Sequence, residues 1–182
     1  MVRVLLALLF AAILGAQGTT VILVRHAERQ SIWDTDSPLA AAGFRRAQAL
    51  VPLLAARHPA ALYTSDLQRT RQTLAPLAAR LATTPTAFPK RDSAGLAAAI
   101  LRDHRGQTVV VCWHHDLMKK VVRALGMKGA VPHWSWDDYD PLWVVHVPAE
   151  GTVTLELRSQ RDLSKAAPLA PTGTEGPGPG LP

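Results

Sequence analysis

Val21-Ile22-Leu23-Val24-Arg25-His26-Ala27-Glu28 is the stretch that decides how this chain is read. Its four leading apolar residues, three of them β-branched, predict a strand buried on both faces. Arg25, His26 and Glu28 follow at once, where such a strand ends. In open α/β sheets ligands bind beyond the carboxyl ends of the strands. A guanidinium fork there binds two oxygens of a phosphoryl group, and an imidazole beside it can attack phosphorus.

Upstream, Met1 to Gly18 has a basic start at Arg3, an apolar run from Val4 to Leu14, and the small-x-small ending Ala16-Gln17-Gly18. This is the pattern of a secretory leader cleaved before Thr19. The run is shorter than the ~20 residues of a spanning helix, so the mature chain is expected to be exported, periplasmic or secreted, with no stable membrane span, a leader retained as an uncleaved anchor being the alternative. The 182 residues suit one domain over 19–162, and the Pro-, Gly- and Ala-rich segment 163–182 reads as a disordered tail. The net charge of +6 falls to +5 without Arg3. Basic residues are scattered and lack interleaved aromatics, so an anionic small molecule is the expected partner and nucleic acid is not. The single cysteine, Cys112, permits no internal disulfide and reads as a small core residue.

Downstream, Phe44, Ala47, Val51 and Leu54 mark one face of a helix that Pro52 is expected to break or kink. Ala60–Tyr63 predicts a short strand. A clear helix follows, capped by Ser65 or Asp66, with Leu67, Thr70, Leu74, Leu77 and Leu81 on one face and Pro76 bending it. Arg69 lies in its first turn, where free N–H groups and the helix dipole favour anions. Ser93 opens a weaker helix that closes near Gly106. Thr108–Trp113 is a second buried strand, running straight into His114-His115-Asp116 and a helix that ends at Gly126. Leu142–Val147 and Thr152–Leu157, turned at Glu150-Gly151, predict an edge hairpin.

Four stretches in this order resemble the histidine phosphatase superfamily, the phosphoglycerate-mutase-like fold, and within it the small phosphatase branch. They are Leu-Val-Arg-His-Ala-Glu (23–28), Pro-Leu-Ala-Ala-Ala-Gly (38–43), Tyr-Thr-Ser-Asp-Leu-Gln-Arg-Thr-Arg-Gln-Thr (63–73) and Val-Val-Val-Cys-Trp-His (109–114). The resemblance spans about Thr19 to Leu157. It implies a three-layer α/β/α sandwich with a mostly parallel central sheet. It also implies a metal-independent phosphomonoesterase with no cofactor, working through a phosphohistidine on His26. Arg25, Arg69 and a protonated His114 would surround the phosphate of a small phosphorylated substrate. Arg29 and His115 are candidate substrate-binding residues. Ala40 stands where the family has threonine, and Trp113 and His115 are bulky neighbours of the second histidine.

Two points stay open at the level of sequence. A second register, His115-Asp116, matches the acid-phosphatase branch, although residues adjacent on a strand point to opposite faces, so only one histidine enters the site. The general acid is the other. Glu28 and Asp116 are the leading candidates, with Asp34, Asp36 and Asp92 behind them, and Asp116 serves equally well as a helix cap. Trp134, Trp136, Tyr139 and Trp143 read either as a substrate rim or as packing beneath a loop. A metal site on His26, His114, His115 and Asp116 is disfavoured because Arg25 and Arg69 would crowd a cation. The competing class is a phosphate-binding module without turnover, which has no need of a nucleophile.

Overall fold

The structure, a computed structural model, describes residues 18–161. The leader (Gly18 apart) and the tail expected from the sequence lie outside the described residues. Alternation along β1 (Thr19–Arg25) sends Val21 and Leu23 to one face of the sheet and Ile22 and Val24 to the other. Both faces are covered, which is why the strand reads as an unbroken apolar run. Helices α1 (Ala41–Ala55) and α2 (Gln68–Arg80) pack Leu50, Leu54, Leu74 and Leu77 onto the Ile22 face. Helices α3 (Ser93–Asp103) and α4 (Met118–Ala124) pack Leu96, Ile100, Met118 and Val121 onto the Val21 face. The result is the expected three-layer α/β/α arrangement.

The other strands are β2 (Ala61–Ser65), β3 (Thr86–Phe88), β4 (Thr108–Trp113), β5 (Pro141–Val147) and β6 (Thr154–Ser159). They form one six-stranded sheet in the order β3-β2-β4-β1-β5-β6. The first four in that order pair in parallel; β5 joins β1 antiparallel and β6 closes an edge hairpin on β5. β1 and β4 are central neighbours, with Arg25 opposite Trp113. Cys112 is buried and free, as its apolar surroundings predict.

Several local expectations are corrected. The buried stripe of α1 is Gly43, Ala47, Leu50 and Leu54, while Phe44 is exposed. A Cβ at residue 43 would stand 2.2 Å from the Glu28 carbonyl oxygen, so the helix can lie against the segment after β1 only with glycine there. Pro52 does not interrupt α1, because it falls in the last turn, where little helix remains to be broken. Helix α2 likewise continues through Pro76. Its cap is also not the predicted one. The first helical N–H, that of Gln68, donates to Asp36 Oδ1 at 2.7 Å, while Asp66 Oδ1 accepts from the Lys90 N–H at 2.9 Å and Ser65 ends β2. Helix α3 opens at Ser93 as expected, capped by Asp92, which accepts from the Gly95 N–H at 2.8 Å, and it closes at Asp103, short of Gly106. Helix α4 has no side-chain cap, so Asp116 does not serve as one. Strand β6 begins two residues later than its pattern suggests, and β3 had no sequence signal.

Candidate active site

Because Arg25 and Trp113 are register partners, the residues after them, His26 and His114, leave the sheet side by side. The His26 N–H donates to the Trp113 carbonyl at 3.0 Å, and the two imidazole centroids lie 5.3 Å apart. Both rings are buried, as are Arg25 and Arg69. Thr73 Oγ1 accepts the Ala27 N–H at 2.9 Å and donates to the Arg69 carbonyl at 2.6 Å, tying the turn after β1 to α2.

His26 Nδ1 donates to the Ala27 carbonyl at 2.8 Å. A carbonyl only accepts, so the hydrogen sits on Nδ1 and Nε2 carries the free lone pair. Burial pushes the ring's pKa down to about 3; the Ala27 hydrogen bond opposes this, and the charges of Arg69, Arg25 and Arg29 add to the fall. His26 is therefore neutral at physiological pH, with a bare and oriented Nε2.

The guanidinium of Arg25 stacks 4.0 Å from the Tyr139 ring centroid. Its Nη1 donates to the carbonyls of Asp138 at 3.1 Å and Ser135 at 3.4 Å, and Nη2 lies 3.4 Å from the Tyr139 hydroxyl. Arg69 Nη1 donates to the Thr35 carbonyl at 2.8 Å, and Nη2 faces His114 Nδ1 at 3.4 Å. The Nε groups of both arginines are buried without a partner among the described residues. Unmet buried donors on cations are costly, and burial lowers both guanidinium pKa values, with Arg29 adding to the effect. An anion within hydrogen-bond reach of either Nε would relieve that cost.

Without an anion in the site, His114 is neutral. Burial lowers its pKa, and the neighbouring His26, Arg69, Lys90 and His115 push the same way. His115 is half-buried, with Nδ1 unpartnered, and its pKa is lowered by burial and by Arg25. Arg29, also half-buried, sits in an isolated bridge with Leu39 close enough to act electrostatically on His26 and both arginines.

Residues 21–90 match the family model described as histidine phosphatase superfamily, branch 1. No curated protein sequence matches the chain. Among solved structures, the domain is similar to the native mycobacterial glucosyl-3-phosphoglycerate phosphatase, with a TM-score of 0.61 at 16% identity, covering 79% of this chain and 98% of that one. It is also similar to phosphoserine phosphatase from Entamoeba histolytica, with a TM-score of 0.59 at 15% identity, covering 80% of this chain and 99% of the other. These likenesses show a shared fold.

The candidate acids are spread out. Glu28 accepts from Arg46 Nε at 3.0 Å and from Nη2 at 2.7 Å. Burial raises its pKa, but the Arg46 hydrogen bonds, a backbone hydrogen bond and the charges of Arg46 and Arg25 together hold it below the usual range, as suits a carboxylate paired with a guanidinium. Asp36 and Asp92 cap helices, Asp34 accepts the Asp36 N–H in an exposed loop, and Asp116 faces solvent 3.6 Å from Lys90 Nζ. The aromatic segment divides. Trp134 and Trp143 are core, with ring centroids 4.9 Å apart; Tyr139 supports Arg25; Trp136 is 68% exposed. Sequence reasoning reads Ser65 only as a helix cap, Thr70 only as a helix-face residue, Thr73 with no role of its own, and Tyr139 only as part of the aromatic segment. The first three stand in or beside the 63–73 motif, which was the one available signal.

Proposed function

We propose that this domain is a metal-independent phosphomonoesterase acting through a covalent phosphohistidine on His26. The observation that carries the reading is the pair of unpartnered, buried Nε donors on Arg25 and Arg69 beside an imidazole whose bare nitrogen is set by the Ala27 carbonyl. Two guanidiniums around the site suit an anion and repel a metal ion. Phosphoryl transfer needs an in-line nucleophile and neutralised equatorial oxygens. In the first step His26 Nε2 bonds to phosphorus, and the P–O bond breaks with its electron pair on the leaving oxygen, which takes up a proton. In the second, water attacks phosphorus and gives one proton to solvent, balancing the one the leaving oxygen drew from solvent; the N–P bond electrons return to Nε2, and phosphate departs. Arg25 and Arg69 hold the oxygens in both steps, with His114 the third contact and Arg29 and His115 at the periphery.

The substrate is a small phosphorylated molecule. Secretion is part of the same proposal: β1 begins at Thr19, so cleavage before that residue leaves every described element whole. Purified mature protein screened against a panel of phosphomonoesters tests the function. Hydrolysis that survives chelators and is lost in His26→Ala supports it. Phosphate binding without hydrolysis of any ester would instead favour the binding-module reading.

A further inference from the structure

His114 touches the rest of the site through both ring nitrogens, and a pair of buried hydroxyls behind it determines which one carries hydrogen. Thr70 Oγ1 lies 2.8 Å from the Leu67 carbonyl and 3.1 Å from the Ser65 carbonyl. Carbonyls accept only, so the single Thr70 hydroxyl hydrogen points to them. Ser65 Oγ lies 2.9 Å from Thr70 Oγ1, so the hydrogen of that contact belongs to Ser65. With its hydrogen so used, Ser65 Oγ accepts from the Leu67 N–H at 3.2 Å and faces His114 Nε2 at 2.8 Å. That last contact is a hydrogen bond only when Nε2 is protonated. At the other end of the ring, Nδ1 faces Arg69 Nη2, a group that can only donate. Both ends call for the same tautomer, with hydrogen on Nε2 and a bare Nδ1.

We propose that Ser65, held by Thr70, is a positioning residue that fixes this tautomer, and that a phosphoryl group enters the site together with one proton destined for His114 Nδ1. The proposal rests on the reading of the site as a phosphate site. A bare Nδ1 and a phosphoryl oxygen are both acceptors, and a proton between them turns repulsion into a charge-assisted hydrogen bond. His26 at the end of β1, Arg69 on α2, Lys90 before α3 and the adjacent His115 all disfavour an imidazolium in the free protein. Asp116, two residues beyond His114, is paired with Lys90. The negative charge that stabilises the imidazolium therefore arrives with the ligand. A phosphomonoester monoanion, whose remaining proton has a pKa of about 6, carries the proton in on its own oxygen. Transfer moves that proton to Nδ1, and the new N–H donates back to the same oxygen.

The test is a long-range ¹H–¹⁵N correlation spectrum of histidine-labelled full-length chain, with and without inorganic phosphate, His114 being assigned by its loss in His114→Gln. The expected free state has Nε2 protonated and Nδ1 bare; adding phosphate protonates both. In Thr70→Val, the Ser65 hydrogen is free to point at Nε2 while Arg69 still favours a bare Nδ1, so the single Nε2-protonated form should give way to a mixture of both tautomers. Ser65→Ala should lower kcat/KM by roughly tenfold to a hundredfold, the range for groups that fix a ring's tautomer. On a His114→Ala background it should cost less than about twofold, because a residue acting through another loses its effect with it. A free wild-type ring protonated at Nδ1, no response to phosphate, or additive losses would overturn the proposal. The spectra need no turnover, so an inactive protein with the expected tautomer would refute the phosphatase reading and leave the positioning role standing.

Discussion

Replacing Tyr139 with alanine removes the surface on which Arg25 rests. The guanidinium lies 4.0 Å from the ring centroid and the arginine is only 3% exposed, so the cation–π contact is desolvated. Such contacts contribute about 2 kcal/mol, against roughly 0.5–1 kcal/mol at exposed sites. If the whole of that appears as misplacement of Arg25 in the transition state, kcat/KM falls about 30-fold. Tyr139→Phe keeps the ring and loses only the 3.4 Å contact between Nη2 and the hydroxyl. That distance lies beyond the usual N–H···O range, so the change should stay below about threefold. Steady-state hydrolysis of a chromogenic phosphomonoester, with thermal melts to confirm folding, measures both variants. A phenylalanine variant as impaired as the alanine one would make the hydroxyl the working group. An unimpaired alanine variant would mean that the Ser135 and Asp138 carbonyls position Arg25 unaided.

Three further outcomes are expected. Asp36→Ala should lower stability by about 1 kcal/mol through loss of the α2 cap, whereas Asp36→Asn, also a good cap, should cost much less; equal losses in chemical denaturation would refute the capping role. His114→Ala should depress turnover by about 10²-fold and His115→Ala far less; the reverse ranking would move the site to the His115-Asp116 register. With its pKa pushed down to about 3 from 6.5, His26 should stay neutral well into acid, so the acid limb of kcat/KM set by this residue should lie near pH 3. Stability should decline over the same window as pH falls from about 6.5, because the unfolded chain binds a proton that folded His26 refuses; a limb near 6.5 in a folded protein would contradict the burial argument.

What was legible in the sequence was whatever is encoded by local pattern. Val21–Val24 and Thr108–Cys112 announce buried strands because both faces are covered, and the charged residues just past them mark the carboxyl edge of the sheet. Less could be read where tertiary structure supplies the partner. The cap of α2 comes from Asp36 in a distant loop, which Ser65-Asp66 conceals by offering a plausible local cap. β3 is three residues long, and pairing with β2 rather than composition makes it a strand. The anchors of the two arginines are mostly backbone carbonyls, of Thr35, Ser135 and Asp138, and a peptide oxygen leaves no mark on the residue type. Tyr139 was visible only as one aromatic among four, and its role depends on where Arg25 lies.

The central claim is the covalent step on His26. Rapid quenching during turnover of a radiolabelled phosphomonoester, followed by separate acid and alkali treatment of the protein, examines it directly. The account predicts a phosphoenzyme that is labile in acid, survives alkali, and is absent together with turnover from a folded His26→Ala protein. An acid-stable adduct, or undiminished hydrolysis by His26→Ala, would contradict it.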